Sequence, residues 1–446
     1  MPPALGLLDL VLFNLVAVIN IGLLPVVAGY GRISLGLWGV AFLLFFIPEA
    51  VAVLTLSASL PGEGGLYLWT LQRFGPFHGF LAGWSYWFAN VFYVPMQLIY
   101  LSGLLTYAIA RPEKVGDKTL VAAVALSWIT VTTIANLFGL KVGKWLSNIG
   151  AVGIAAAVLC VVLTGQWAAM TGRSLPAPWL AVSPWDALAG LPLMCFSFQG
   201  VELASTMGDE IDAAQRNLPR ALLITGVVAL IVYSAVTASL MALLPVAQIS
   251  AVDGIMQGIA QGSTRLGLTW VVVPLAAVLF VATAGSLAAW YTGCSRMLLF
   301  AGVCNSLPPI LGRVHARWNS PHVALLLQGG LSVALILGAL FHSTVADAYQ
   351  VLYKAAAVVS LFPFLYLFAV LLSLRSAKRW QGLLGISGLL ISLASIGLAF
   401  HPPPQTVDTW LFQKKLLLGV AAPVVLGILL YGSRSGARAN APTEHP

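Results

Sequence analysis

Phe196-Ser197-Phe198-Gln199-Gly200-Val201-Glu202 lies in the middle of a hydrophobic stretch and reads as a membrane helix that breaks open, with Asp209 and Glu210 just beyond. The first hydrophobic segment has a matching weak point at Asn20-Ile21-Gly22. In hydrocarbon an unpaired N–H or C=O is costly, so such breaks survive only where they line a cavity. Two interrupted spans in corresponding halves of a chain point to a midplane site built from unwound backbone, the arrangement of a carrier.

Around these breaks the 446 residues are 59% hydrophobic and 8% charged, with a mean hydropathy of +0.94. Soluble domains carry roughly 25% charged residues, so the composition indicates an all-α polytopic membrane protein. The apolar runs are long and continuous, unlike the alternating strands of an outer-membrane barrel. Twelve spans are expected, at 7–29, 35–59, 77–109, 119–138, 144–165, 186–208, 219–244, 268–302, 321–341, 346–374, 380–400 and 413–432. They form one transmembrane domain over 1–432, with no gap long enough for a soluble one. An even span number and two breaks suit a five-plus-five inverted repeat: repeat one at 7–165, repeat two at 186–374, two extra helices at 380–432 and a polar tail at 433–446.

A net charge of +8 does not indicate nucleic acid, because the basic residues are scattered through short loops. With a cytoplasmic N-terminus, thirteen Lys and Arg fall in inner loops and eight in outer ones, while Lys354 lies within a span. That bias favours both termini inside a cell membrane. The N-terminus has no basic n-region or small-residue cleavage site and reads as a retained span. Cys160, Cys195, Cys294 and Cys304 read as small reduced core residues, and the six histidines lack paired ligand spacing, so neither a metal nor a cofactor is implied.

Each break has chemistry. Asn tolerates unusual backbone and Gly22 leaves it open, so the half-helix that follows would present free N–H groups to a carboxylate. Close helix packing at Gly22 is the other reading, and this segment alone leaves both open. Glu202 is a carboxyl expected deep in the bilayer, which costs about 2.5–3.5 kcal/mol even on insertion scales. Such a group is a functional candidate that favours its protonated form, ahead of a neutral Glu joining helices.

Several spaced motifs carry a resemblance. Pro61-Gly62-Glu63-Gly64-Gly65-Leu66-Tyr67, then Phe74-Gly75-Pro76-Phe77 and Gly79-Phe80-Leu81-Ala82-Gly83-Trp84, resemble the second-to-third-helix region of the amino acid–polyamine–organocation (APC) superfamily. Arg216-Asn217-Leu218-Pro219-Arg220 resembles the segment after the sixth span, and Ser295-Arg296, Pro308 and Ser320-Pro321 that after the eighth. The match runs in order over residues 7 to 370 and resembles the glutamate/GABA antiporter and arginine/agmatine exchanger branches.

The resemblance implies a substrate held between helices one, three, six, eight and ten. Asn20, Ile21 and Gly22 fall where the family's amides hold an amino acid carboxylate. Phe196 falls at an occluding aromatic, Gln199 and Gly200 at a substrate-facing break, and Glu202 at an acidic group tied to proton-dependent gating. Asn90 and Trp290 match residues that contact substrate and line the pocket. Phe364 lies near a tyrosine that closes the cavity from outside.

This chain also departs from the pattern. Asn and Ile replace the usual Gly and Ser at the first break, which weakens the case for an ordinary α-amino acid pocket. The fifth span, at Ser147-Asn148-Ile149-Gly150-Ala151-Val152-Gly153, has no Lys that could do the coupling. Glu49 follows Pro48 in mid-span, where a backbone bond lost to Pro and an extra carboxyl imply a local polar pocket and a part in gating or proton coupling. Lys354 either neutralises Glu49 or Glu202 or snorkels to the outer surface, snorkelling being favoured. Trp38, Trp69, Trp128, Trp318 and Trp410 read as interfacial anchors. Tyr86, Tyr93 and Tyr100 form one face of the third span and read chiefly as core packing.

The expectation is therefore a secondary transporter, not an enzyme, that moves an amino acid or related amine by alternating access as an exchanger or proton-linked carrier. Its partners are a small-molecule substrate, protons and the lipid bilayer, with no nucleic acid. A polyamine or cationic amine carrier and a non-transporting sensor of the same fold are the alternatives. The sequence has no Gly-rich ATP-binding loop for a primary pump.

Overall fold

The computed structural model describes residues 6–60, 64–137, 143–202, 213–303, 309–313, 315, 322–403 and 406–439. Asp209, Glu210, Pro308, Trp318, Ser320 and Cys304 lie outside that set, as do the side chains of residues 137–152 and of Cys294.

The first segment is split into α1 (Leu7–Val18) and α2 (Leu24–Ala28). Then follow α3 (Ile33–Ser59), the amphipathic connecting helix α4 (Gly65–Phe74), α5 (Pro76–Ala108), α6 (Lys118–Leu137) and α7 (Gly143–Met170). The short α8 (Pro184–Leu188) leads into α9 (Leu191–Phe198), the first half of the second broken segment. The chain continues through α10 (Ala214–Leu243), α11 (Gly254–Arg265), α12 (Val272–Val303), α13 (His322–Leu340), α14 (Val345–Ser373), α15 (Arg379–Ala399) and α16 (Thr409–Ala439).

Among the described residues ten helices are long and apolar enough to cross a membrane. The two broken segments stand first and sixth in chain order, which gives the all-α, twelve-segment architecture expected. Burial separates centre from rim. The most apolar windows of α5 and α14 are 83% and 72% buried, against 22% for α16. Thus α5 and α14 form the middle of the bundle, and the apolar side chains on the outside of α16 suit lipid. The α16 helix also runs to Ala439, into the stretch expected as a polar tail.

Proline shapes α3. Pro48 has no N–H for a helical bond and crowds the carbonyl four residues back. The helix absorbs this with a π-helical turn at Phe42–Phe46 immediately before it, and Glu49 leaves that turn pointing into the protein.

Two of the expected anchors are core residues instead. Trp38 stacks on Tyr233 at 4.6 Å and donates to Thr237 Oγ1 at 3.2 Å, while Trp69 donates to the Leu60 carbonyl at 3.1 Å. Each indole N–H finds a partner inside the protein, which removes the need for a wet interface. Trp128 is half-buried against Tyr291, whereas Trp410 is 65% exposed.

Candidate functional site

At the first break α1 stops at Val18 because Ile19 and Asn20 turn extended (ψ 103° and 97°). The Asn20 side chain then caps a short 3-10 turn over Ile21–Leu23 by accepting from the Gly22 amide at 3.2 Å. Pro25, in the first turn of α2, restarts the helix where its missing N–H does no harm.

At the second break Gln199 is extended (ψ 154°) and Gly200 has φ +121°, a conformation that only glycine adopts without strain. The Gly200 amide donates to Glu202 Oε2 at 2.6 Å. Each break is thus capped by a side chain two residues from the amide it holds.

Tyr233 of α10 ties the two together. Its hydroxyl lies 2.7 Å from the Val18 carbonyl and 2.8 Å from the Ser197 carbonyl, the C-terminal ends of α1 and α9. One O–H serves both helix ends. From α14, Tyr349 donates to the Gly22 carbonyl at 2.9 Å. Backbone groups freed by the breaks are therefore met by buried tyrosines, as a low-dielectric interior demands.

The breaks open on one cavity of about 90 Å³. Its lining includes Asn20, Ile21, Gly22, Asn90, Phe196, Gln199, Gly200, Glu202 and Trp290, nine of the eleven residues singled out in the sequence. Asn90 donates back to the Tyr86 carbonyl at 3.0 Å, which leaves its oxygen for other contacts. Phe196 meets Tyr353 edge-on at 5.8 Å, and Trp290 packs against Tyr93 at 6.0 Å.

Glu202 and Glu49 are 4% and 0% exposed. Glu202 Oε1 accepts from the Tyr86 hydroxyl at 2.8 Å. Glu49 does not line the cavity; its buried carboxyl is an electrostatic neighbour of Glu202, and neither Glu49 oxygen has a hydrogen-bond partner. Two ionised carboxyls are acceptors only, so a direct hydrogen bond between them needs a proton on one. The Cys195 thiol, 3.6 Å from Ser395 Oγ, lies beside Glu49.

Two predicted positions turn out differently. Phe364 is fully buried and packs on Phe45 at 5.4 Å, outside the cavity, where Ser360 one turn earlier takes its place in the lining. Lys354, 1% exposed, turns away from both carboxyls and donates to the His401 carbonyl at 2.5 Å, with Phe412 alongside. It heads for the α15–α16 connection but ends on protein rather than in water. The His401 ring in turn meets Asp186 at 2.5 Å.

The tyrosine face of α5 was underrated. Tyr86, Tyr93 and Tyr100 all line the cavity, together with Asn90 and Gln97. These five positions follow steps of four, three, four and three, one continuous helical stripe. Its mixed polar and aromatic character was the available signal, since a lipid or core face would carry fewer hydroxyls and amides. Thr283 and Ser286 of α12 also join the lining.

A family model described as amino acid permease matches residues 5–422. The chain is 27% identical to an uncharacterized transporter of Legionella pneumophila, over 93% of this chain and 94% of that one. It is 26% identical to the branched-chain amino acid permease BcaP of Bacillus subtilis, covering 74% of each chain. A cadaverine/lysine antiporter of Escherichia coli is 25% identical over 78% of each. With a fold, two broken segments and a family match that spans nearly its whole length, the chain belongs to the amino acid permease family of the APC superfamily of membrane transporters.

Proposed function

We propose that this permease is a secondary carrier that moves an amino acid or a related amine by alternating access, as an exchanger or a proton-linked carrier. The observation behind this reading is that side chains from both breaks, α5 and α12 converge on one cavity. The relatives support the substrate range, since their names specify branched-chain amino acids in one case and cadaverine and lysine in another.

In this reading the substrate lies between Phe196 and Trp290, against Asn20, Ile21, Gly22, Asn90, Gln199 and Gly200. Glu202, backed by Glu49, takes up or releases a proton as the cavity fills and empties. Phe364 acts at one remove, through Phe45 of α3, on how α14 closes. Both termini lie on the cytoplasmic side of a cell membrane, as the distribution of Lys and Arg in the loops favours.

Counterflow in proteoliposomes with a panel of amino acids and amines tests the carrier. Substrate-dependent flux is expected, and stabilised binding without flux would favour a sensor of the same fold. Phe196→Ala and Trp290→Ala are each expected to weaken substrate retention by about tenfold, the scale of a buried aromatic contact. Wild-type affinity in both variants would place the pocket elsewhere.

A further inference from the structure

We propose that the turn joining α14 to α15 holds the headgroup of an anionic phospholipid, whose acyl chains lie along the outer face of α15. This site is separate from the cavity and needs no cargo.

The stretch Leu374-Arg375-Ser376-Ala377-Lys378-Arg379-Trp380 puts three cations within five residues, and the nearest acids along the chain are Asp347 and Asp408. In space these charges stay unanswered as well. Arg375, Lys378 and Arg379 are exposed, and among the described residues the one ion pair joins His401 to Asp186 instead. Arg73 of α4 brings a fourth cation alongside, since its Nε donates to Ser373 Oγ at 2.7 Å, two residues before Arg375. Like charges gathered in this way repel one another, and an anion set among them relieves that cost.

Hydrogen bonds hold the turn in place. Arg73 Nη2 donates to the Ser373 carbonyl at 2.5 Å, which fixes the end of α14. Gln381, in the first turn of α15, accepts from the Lys378 amide at 2.7 Å and donates to Thr55 Oγ1 of α3 at 2.8 Å. Both ends of the turn are thereby pinned to neighbouring elements, and the cations stand on a fixed backbone.

The surface next to the turn decides the partner. Trp380, 51% exposed, follows the cations directly, and an exposed indole suits the headgroup level of a bilayer. Leu383, Ile386, Leu390 and Leu393 are exposed too, and steps of three, four and three place them on one face of α15. From Leu383 to Leu393 a helix rises about 15 Å, half of the ~30 Å hydrocarbon core. Cations, an interfacial indole and one leaflet's depth of apolar surface thus follow one another along a single helix. That is the order of phosphate, glycerol and acyl chain in a phospholipid. A soluble phosphate would use the cations and leave Trp380 and the apolar stripe without a role. The bias of Lys and Arg towards inner loops accounts for basic residues here, but not for three of them crowded above this stripe.

The test is native mass spectrometry of the purified full-length protein with equimolar dioleoylphosphatidylglycerol and dioleoylphosphatidylcholine. The wild type is expected to retain the anionic lipid about tenfold better, a preference that weakens at high salt. Arg375→Gln, Lys378→Gln and Arg379→Gln together are expected to remove most of it. Lys378→Glu, one change at an exposed side chain, is expected to cut it by about half or more. Arg216→Gln with Arg220→Gln, an exposed basic pair at the start of α10, is expected to leave it within about twofold. Equal retention of the two lipids by the wild type overturns the proposal. So does a wild-type preference in the variants of the turn, or an equal loss in the α10 pair, which would make the effect one of scattered charge. Displacement of the bound lipid by millimolar glycerol 3-phosphate would make this a soluble-anion site, and the lipid assignment would fall.

Discussion

At the first break a neutral amide, Asn20, caps the amide of Gly22; at the second a carboxyl, Glu202, reaches back to the amide of Gly200. Both caps span two residues, both breaks end on the hydroxyl of Tyr233, and both open on one cavity. The backbone problem is the same in each, an interrupted helix in a poorly solvated interior, and the local solution has the same shape. Only the chemistry of the cap differs. An amide holds its bond at every pH, whereas a carboxyl changes its charge, and Glu202 has Tyr86 bonded to it and Glu49 as an electrostatic neighbour. On the proposed reading the first break is a fixed floor for the substrate, and the second is the part that responds to protons.

Glu202→Gln breaks that comparison most directly, because it makes the second cap an amide like the first. The Gln carbonyl can still accept from Gly200, so the fold and substrate binding are expected to persist. Transport rate against pH is expected to flatten, while the wild type retains a slope over the range in which the carboxyl pair gains or loses its proton. An unchanged pH profile in the variant would remove Glu202 from the coupling role and make the two caps equivalent.

The glycines sharpen the contrast by a smaller amount. Gly200 has φ +121°, and a Cβ there would also sit 3.3 Å from the Ala17 backbone. Gly200→Ala is expected to lower stability by about 1–3 kcal/mol, the scale of a side chain forced into a glycine-only conformation. Gly22 needs no left-handed φ, and its added Cβ would meet side chains, Tyr100 and Tyr349, at 3.3 Å. Gly22→Ala is therefore expected to change stability by less than about 1 kcal/mol, with its effect falling on the cavity instead. Thermal unfolding of the purified variants separates the two, and equal losses would show that both breaks depend on glycine alike.

These local features explain what was legible in the sequence. Hydropathy marks spans, and Asn20, Gly22, Gln199 and Gly200 act on the backbone within two or three residues, so both breaks could be read without coordinates. Glu49 stood out because Pro48 precedes it in an apolar run. What could not be read is how distant elements meet. Nothing in α3 says that Glu49 neighbours Glu202, and nothing in α10 marks Tyr233 as the partner of two helix ends. Phe364 was placed by likeness to a pocket residue, but packing against Phe45 takes it out of the cavity. Trp38 and Trp69 were misread because an aromatic near a span end satisfies its N–H as well inside the protein as at an interface.

Tyr233→Phe tests what the two breaks share. The ring keeps its stack on Trp38 at 4.6 Å and its edge contact with Phe198 at 5.5 Å, so packing survives the change. Only the hydroxyl goes, and with it the donor shared by the Val18 and Ser197 carbonyls. Leaving buried groups unmet costs about 1–2 kcal/mol, less if water reaches them from the cavity. If Tyr233 joins the breaks, hydrogen exchange is expected to rise on both sides at once, at residues 19–24 and 199–202. Should exchange rise at one break alone, the hydroxyl serves that helix end only, and the coordination of fixed floor and responsive wall must come from another contact.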